Sequence, residues 1–259
     1  MTSGLKVEGL TVKRGDLTIC RDVDLTVPKG EITVLLGANG AGKTTLLDGI
    51  AGVLPAAAGS ISLGARSIDA IPVHRRASLG LSYVEQGRSV FSRLTVVQNL
   101  AVVDRSQHTR DKAFELFPRL ADKRNVRAGL LSGGEQQMLV IARALATRPT
   151  MLLVDELSLG LAPRAVRMLM DTLVKLAESG MGILLVEQFA EVALRVGTTA
   201  YVMERGQIVH AEACSTILQD HTSRISPYYL GVASCRQLEP QNKRSRRYGD
   251  PQTVPGLDE

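Results

Sequence analysis

Apolar positions change their rhythm along the chain, and each rhythm predicts a different element. Over the first thirty residues, "LKVEGLTVKRGDLTICRDVDLTVPKG", β-branched and polar residues alternate, which predicts an antiparallel β layer. Three short runs, "ITVLLG" (32–37), "MLLVDE" (151–156) and "GILLVEQ" (182–188), are apolar almost throughout, as strands buried on both faces are. A helical period follows each run, from Lys43 to Gly52, Arg164 to Ser179 and Phe189 to Val196. Strand, turn and helix repeated in this way predict an α/β fold with a mostly parallel sheet and crossover helices. From about residue 88 to 131 the strand signal fades, and "LTVVQNLAVV" and "DKAFELFPRLADK" predict an inserted α-helical subdomain.

A further helix start lies at "LSGGEQQMLVIARAL" (131–145). Ser132 and Glu135 stand in the S-x-x-E relation of a capping box, which satisfies orphan amides at a helix N-terminus. Two glycines between them are unexplained by capping, because glycine is the costliest ordinary residue to order in a helix. Beyond Tyr229 periodicity ends. "CRQLEPQNKRSRRYGDPQTVPGLDE" is polar and proline-bearing, which predicts a disordered tail over 232–259 behind one domain spanning 1–231. Its short "KRSRR" run reads as a solvated charge cluster before it reads as a site for RNA or lipid headgroups.

Composition narrows the function classes. At 259 residues the chain is long enough for one large α/β domain with an insertion. Tryptophan is absent and the net charge is only +5, so a base-stacking nucleic-acid platform is not expected. Cys20, Cys214 and Cys235 are far apart and odd in number, which fits neither zinc-ligand spacing nor a disulfide framework and favours a reducing compartment. No apolar run approaches the roughly 20 residues that span a bilayer, and "MTSGLKVEGLTVKRG" has no signal-like block. Any contact with a membrane is expected through a partner.

Candidate chemistry concentrates in two stretches. "GANGAGKTT", with Gly37, Ala38, Asn39, Gly40, Ala41, Gly42, Lys43, Thr44 and Thr45, fits G-x-x-x-x-G-K-[ST] between a buried strand and a helix. Small residues let such a loop wrap phosphate oxygens with its amides, at the positive end of the helix dipole. Lys43 then bridges β- and γ-phosphates, and the Thr44 hydroxyl ligates Mg²⁺. A purely structural glycine turn needs neither lysine nor hydroxyl. "MLLVDE" supplies the acids: Asp155, expected on a strand beside the phosphate-loop strand, to hold Mg²⁺, and Glu156 to polarise an attacking water.

Taken in order, the phosphate loop, "VEQ", "LSGGEQ" and the hydrophobic-DE run resemble the ATP-binding subunits of ABC transporters, from about Leu5 to Gly231. The resemblance implies a P-loop NTPase (RecA-like) core, ATP and Mg²⁺ as ligands, and head-to-tail pairing with a second ABC-type ATPase subunit. Each ATP then lies between the phosphate loop of one subunit and Ser132, Gly133 and Gly134 of the other. It implies further that Gln86 contacts Mg²⁺ and the attacking water, and that the residues after it receive a helix from a transmembrane permease. Arg14 falls where the family's adenine-stacking aromatic belongs, so weaker adenine discrimination is expected. Gln188 falls where a switch histidine belongs; it can hydrogen-bond a γ-phosphate but cannot become cationic. Ala162 replaces a frequent aspartate, and Leu157 replaces a usual proline, which is expected to loosen its turn.

The combination "GANGAGKTTLL", "VFSRLTV", "LFPRL", "SLGLAP" and "LLVEQ" resembles the branched-chain amino acid importers, which group with amide and urea importers. This implies a peripheral protein on the cytoplasmic face of the cell membrane, touching the membrane only through its permease, with no nucleic-acid role. A heterodimer is the expected working pair, with homodimers possible in isolation. The rival readings are a nucleotide-gated clamp of ABC type without transport, and an ATP sensor that does not hydrolyse; retention of Lys43, Asp155 and Glu156 weighs against the sensor.

Overall fold

The computed structural model describes residues 4–187 and 190–219. The expected tail over 232–259, its "KRSRR" run, Cys235 and Gln188 lie outside the described residues.

Strands β1 (Leu5–Arg14) and β2 (Leu17–Val27) form the expected antiparallel pair, in register from Leu5↔Val27 to Arg14↔Leu17 with bulges between. Strand β3 (Ile32–Leu36) leads through the phosphate loop into helix α1 (Lys43–Ala51). The chain then returns to the first sheet as β4 (Ala56–Leu63) and β5 (Arg66–Ser67), passes through α2 (Val73–Ser78) and enters the second sheet as β6 (Leu81–Val84). Helices α3 (Val96–Ala101), α4 (Gln107–Leu116) and α5 (Pro118–Asp122) fill the stretch expected to be helical. Helix α6 (Gly133–Leu145) precedes β7 (Met151–Asp155), α7 (Pro163–Glu178) and β8 (Gly182–Val186). Helix α8 (Ala190–Val196), the hairpin β9 (Thr199–Glu204) and β10 (Gln207–Ala213), and α9 (Cys214–Gln219) complete the described chain.

The second sheet has the order β10-β9-β3-β8-β7-β6 and is parallel except for β10. The strand carrying Asp155 is therefore not the neighbour of the phosphate-loop strand, as the sequence led us to expect. β8 lies between them, pairing Ile32 with Ile183 on one side and Asp155 with Val186 on the other. Chain order gives no guide here, because both crossovers are long enough to skip a position.

Alternation explains why these strands are apolar throughout. Ile32, Val34 and Leu36 face a core shared with α6, α7 and α8, whereas Leu35 faces a core shared with α1 and the antiparallel sheet. Val154 and Leu185 belong to the first core, Leu153 and Leu184 to the second. Helix α1 is thus clamped between two sheets by Leu46, Leu47 and Ile50, all fully buried. That clamp fixes the phosphate loop at its N-terminus.

The C-terminal end of α1 has a cap that the sequence pattern did not disclose. Arg76 is buried, and its guanidinium donates to the carbonyls of Gly49 (3.2 Å), Ile50 (2.6 Å), Ile71 (2.7 Å) and Asp69 (3.0 Å). Carbonyls at a helix end need such partners. Arg76→Ala is expected to destabilise the protein by about 2–4 kcal/mol, since it strips several buried acceptors at once. Urea unfolding with an unchanged slope and a lower midpoint is the measurement.

Candidate active site

The phosphate loop leaves β3 and reaches α1 through Gly42, whose φ of 106° lies where side chains are strained. A Cβ there would also come within 3.3–3.4 Å of Met203, Cys20 and Ile19. No side chain caps α1, so its first-turn amides remain directed at the loop's interior. Lys43 folds back over them and donates to the carbonyls of Gly37 (2.8 Å) and Ala38 (3.1 Å). Burial lowers its pKa, while Glu156 and Asp155 pull in the opposite direction. Beside the loop is a cleft of 560 Å³ lined by Asn39, Gly40, Lys43, Thr44, Gln86 and Glu156, among others.

Asp155 ends β7 with no solvent exposure, and among the described residues neither carboxylate oxygen is well hydrogen-bonded. Burial raises its pKa; the nearby Thr44 hydroxyl and Lys43 ammonium only partly oppose this. The next residue, Glu156, has a φ of 46°, an uncommon left-handed conformation for glutamate. Its amide donates to Val186 (2.9 Å), and the twist brings its side chain to Gln86, whose Nε2 donates to Glu156 Oε2 at 2.5 Å. Sequence spacing of seventy residues thus closes to one hydrogen bond. Leu157 follows in the same turn. Its side chain is buried in the core behind the end of β7.

Ser132 caps α6 as the sequence indicated. Glu135 N–H donates to Ser132 Oγ (3.4 Å), and Ser132 N–H donates to Glu135 Oε2 (2.9 Å). Burial works against the Glu135 charge, but Lys123, paired with it at 2.7 Å, and the Ser132 groups prevail and lower its pKa. Both glycines have reasons within the chain. A Cβ on Gly133 would sit 2.7–2.9 Å from three atoms of the Arg88 guanidinium, and one on Gly134 would meet Ala165 at 2.8 Å. Ser132 itself is exposed.

This arrangement places phosphate-directed amides, a cation, a starved carboxylate and a second carboxylate around one cleft. A family model for the ABC transporter matches residues 20–158. The chain belongs to the ABC transporter ATP-binding family. This ABC subunit is 41% identical over 233 residues to the high-affinity branched-chain amino acid transport ATP-binding protein BraG of Pseudomonas aeruginosa, covering 88% of this chain and 99% of BraG. It is 38% identical to the lipopolysaccharide export system ATP-binding protein LptB of Escherichia coli, over 82% of this chain and 91% of LptB. Among solved structures it superposes on a nucleotide-free ATP-binding cassette from an ABC transporter with a TM-score of 0.77 at 25% identity, covering 84% of this chain and 95% of that one. The ABC subunit is an ATPase, and its fold is that of ABC cassettes. Among the described residues no helix is long and apolar enough to cross a membrane.

Two further features of the ABC subunit were not legible from motifs. Arg14 is not loose at the site's rim: its Nε donates to Thr45 Oγ1 (3.1 Å), and it pairs with Asp48 at 2.6 Å, both on α1. Ser158, in the turn after Glu156, is buried and donates from its amide (3.0 Å) and its hydroxyl to the buried Glu187 carboxylate. Glu187 directly precedes Gln188, so the turn after the acidic pair is tied to the end of β8. A buried glutamate beside a serine-bearing turn was the available signal, but sequence alone does not bring residues 158 and 187 together.

Proposed function

We propose that this chain hydrolyses MgATP between two subunits packed head to tail, and so drives an importer for branched-chain amino acids or related amides. Asp155 is the observation that carries the nucleotide chemistry. A buried carboxylate offered little beyond the nearby Thr44 hydroxyl and Lys43 ammonium is destabilising unless a cation arrives. Asp155 and Thr44 fit Mg²⁺, which when bound would neutralise charge on the β- and γ-phosphates. The amides of residues 38–45 would hold the phosphates, with Lys43 exchanging its two carbonyls for phosphate oxygens. Gln86 would release Glu156 Oε2, which then accepts a hydrogen bond from the attacking water and draws its proton. Ser132, Gly133 and Gly134 would meet the γ-phosphate bound by the partner subunit, where an α6 N-terminus favours an anion. A dimeric ABC cassette with ADP and phosphate has been solved on this fold, with a TM-score of 0.72 to this chain. Gln188, at the switch position that follows Glu187, would contact the γ-phosphate held by its own subunit.

The transport reading leans on BraG, whose length this chain matches almost entirely. Permease contact would fall on the groove of 360 Å³ beside α2 and α6, lined by Val73, Tyr83, Glu85, Val103 and Arg143. Val53, Phe91 and Val102 are exposed around it, and Arg143 lies 4.6 Å from the centroid of the Phe91 ring with a buried, unpartnered Nε. Large exposed apolar residues around a groove mark a docking site. Val103→Asp is expected to abolish co-purification with the permease and to leave the ATPase rate of the isolated chain within about twofold, because the groove is separate from the phosphate cleft. Proteoliposomes holding the full complex test the whole reading. ATP-dependent leucine uptake supports it; association with no multi-span protein, or ATP-driven lipid extraction in place of uptake, overturns it.

A further inference from the structure

Arg88 is exposed, yet its guanidinium meets two other segments of the chain. It donates from one terminal nitrogen to the carbonyls of Gly160 (3.0 Å) and Leu159 (3.4 Å), in the turn after the acidic pair. A Cβ on Gly133 would be 2.7 Å from Cζ, 2.8 Å from one terminal nitrogen and 2.9 Å from the other. An edge-on approach would put the nitrogens nearer than the carbon, so the guanidinium lies face-on against Gly133. Only a residue with no side chain admits that packing. Two residues earlier, Gln86 holds the Glu156 carboxylate.

We infer that Arg88 is a positioning residue that joins the Gln86 loop to the Gly133 and Gly160 turns, and so conveys the state of one nucleotide site to the other. The inference rests on the head-to-tail reading above. In that reading Gln86 and Glu156 serve the nucleotide held by their own subunit, whereas the Ser132–Gly134 turn serves the partner's. When Gln86 leaves Glu156, the short 86–88 segment carries the Arg88 backbone with it. The guanidinium, planar and bonded to two carbonyls, transmits that displacement to residues 133 and 159–160 as a rigid body. The far side of the same turn is fixed, because Ser158 is bound to Glu187. Arginine suits this role for a physical reason: one flat group offers a stacking face and a donor edge together, which lysine does not. Arg88 does not itself line the phosphate cleft; its one hydrogen bond to a lining residue is to the Leu159 carbonyl.

The test compares Arg88→Ala and Arg88→Lys in the Glu156→Gln background, with MgATP, by sedimentation velocity and by fluorescent-nucleotide binding to dilute monomer. Expected is an unchanged monomer affinity for nucleotide, within about twofold, with a dimer dissociation constant raised about tenfold by alanine and less by lysine. The wild-type arm should show, in addition, a lower kcat for Arg88→Ala at unchanged KM and unchanged thermal midpoint. Equal dimerisation of Glu156→Gln with and without Arg88→Ala overturns the inference. Loss of nucleotide affinity in the monomer overturns it as well, since Arg88 would then be part of the phosphate cleft. If Glu156→Gln itself stays monomeric with MgATP, the head-to-tail reading falls first, and this inference falls with it.

Discussion

Glu156→Gln is expected to lower the rate of phosphate release by about 10²–10⁴-fold, the range for loss of a positioned general base. Nucleotide binding should survive, because Lys43, Thr44 and the loop amides are untouched by the change. Geometry should survive too. Glutamine is isosteric with glutamate, and its Oε1 can still accept from Gln86 Nε2, as Glu156 Oε2 now does at 2.5 Å. The left-handed backbone at 156, with φ 46°, is fixed by the Val186 carbonyl and the burial of Leu157, not by the carboxylate. What disappears is the capacity to draw a proton from water. Single-turnover phosphate release separates this from a binding defect. A variant rate within about threefold of wild type would place the base elsewhere, and negligible release from both proteins would make this chain an ATP sensor.

The same pair of residues shows how far sequence carries. The phosphate loop was legible because its function is local: strand, glycine turn, lysine and hydroxyl lie within nine neighbouring positions, 37–45. The Ser132–Glu135 cap was legible for the same reason, since a capping box spans one helical turn. Antiparallel pairing of β1 with β2 followed from alternation. The other half of their sheet did not, because "AAAGSISL" of β4 has little β propensity and is held as a strand by its partner β1. Strand order was misread at β7, where tertiary packing of α7 and the crossover to β8 decide which strand lies beside β3. The Gly133 and Gly134 pair illustrates a different limit. Sequence suggests a ligand's approach to these glycines, but not the contacts a Cβ there would make with Arg88 and Ala165, which are distant along the chain. Long-range partners of this kind, including Arg76 on α1 and Glu187 on Ser158, leave no periodic trace.

Asp155→Asn is expected to make the nucleotide-free protein more stable while removing its Mg²⁺-dependent activity. The carboxylate has no exposure, and burial raises its pKa above the ordinary carboxylate value against the smaller pull of Thr44 and Lys43. Unfolding returns the group to water, where it ionises near its usual pKa of about 3.9. The folded chain therefore holds a proton over a pH range in which the unfolded chain has lost it. Stability from this group is complete below the unfolded pKa and declines as pH rises through the folded one. At neutral pH an uncharged, isosteric asparagine escapes that loss. Lys43 loses an attractive neighbour in the exchange but keeps the carbonyls of Gly37 and Ala38. A net gain of about 1 kcal/mol would raise the thermal midpoint by about 2–4 °C in a protein of this size. The gain should shrink as pH falls towards 4 and the wild-type carboxylate takes up its proton. With MgATP the order should reverse: wild type gains stability through linkage to the bound ligand, whereas the asparagine variant, lacking an anionic ligand for the cation, gains little. Calorimetry across pH, with and without MgATP, reads both halves. A variant less stable than wild type at every pH, or one stabilised equally by MgATP, would mean that Asp155 serves the fold and not the cation. The opposite result would show a residue retained against the interest of stability, because the starved carboxylate is what makes the cleft ready for its metal.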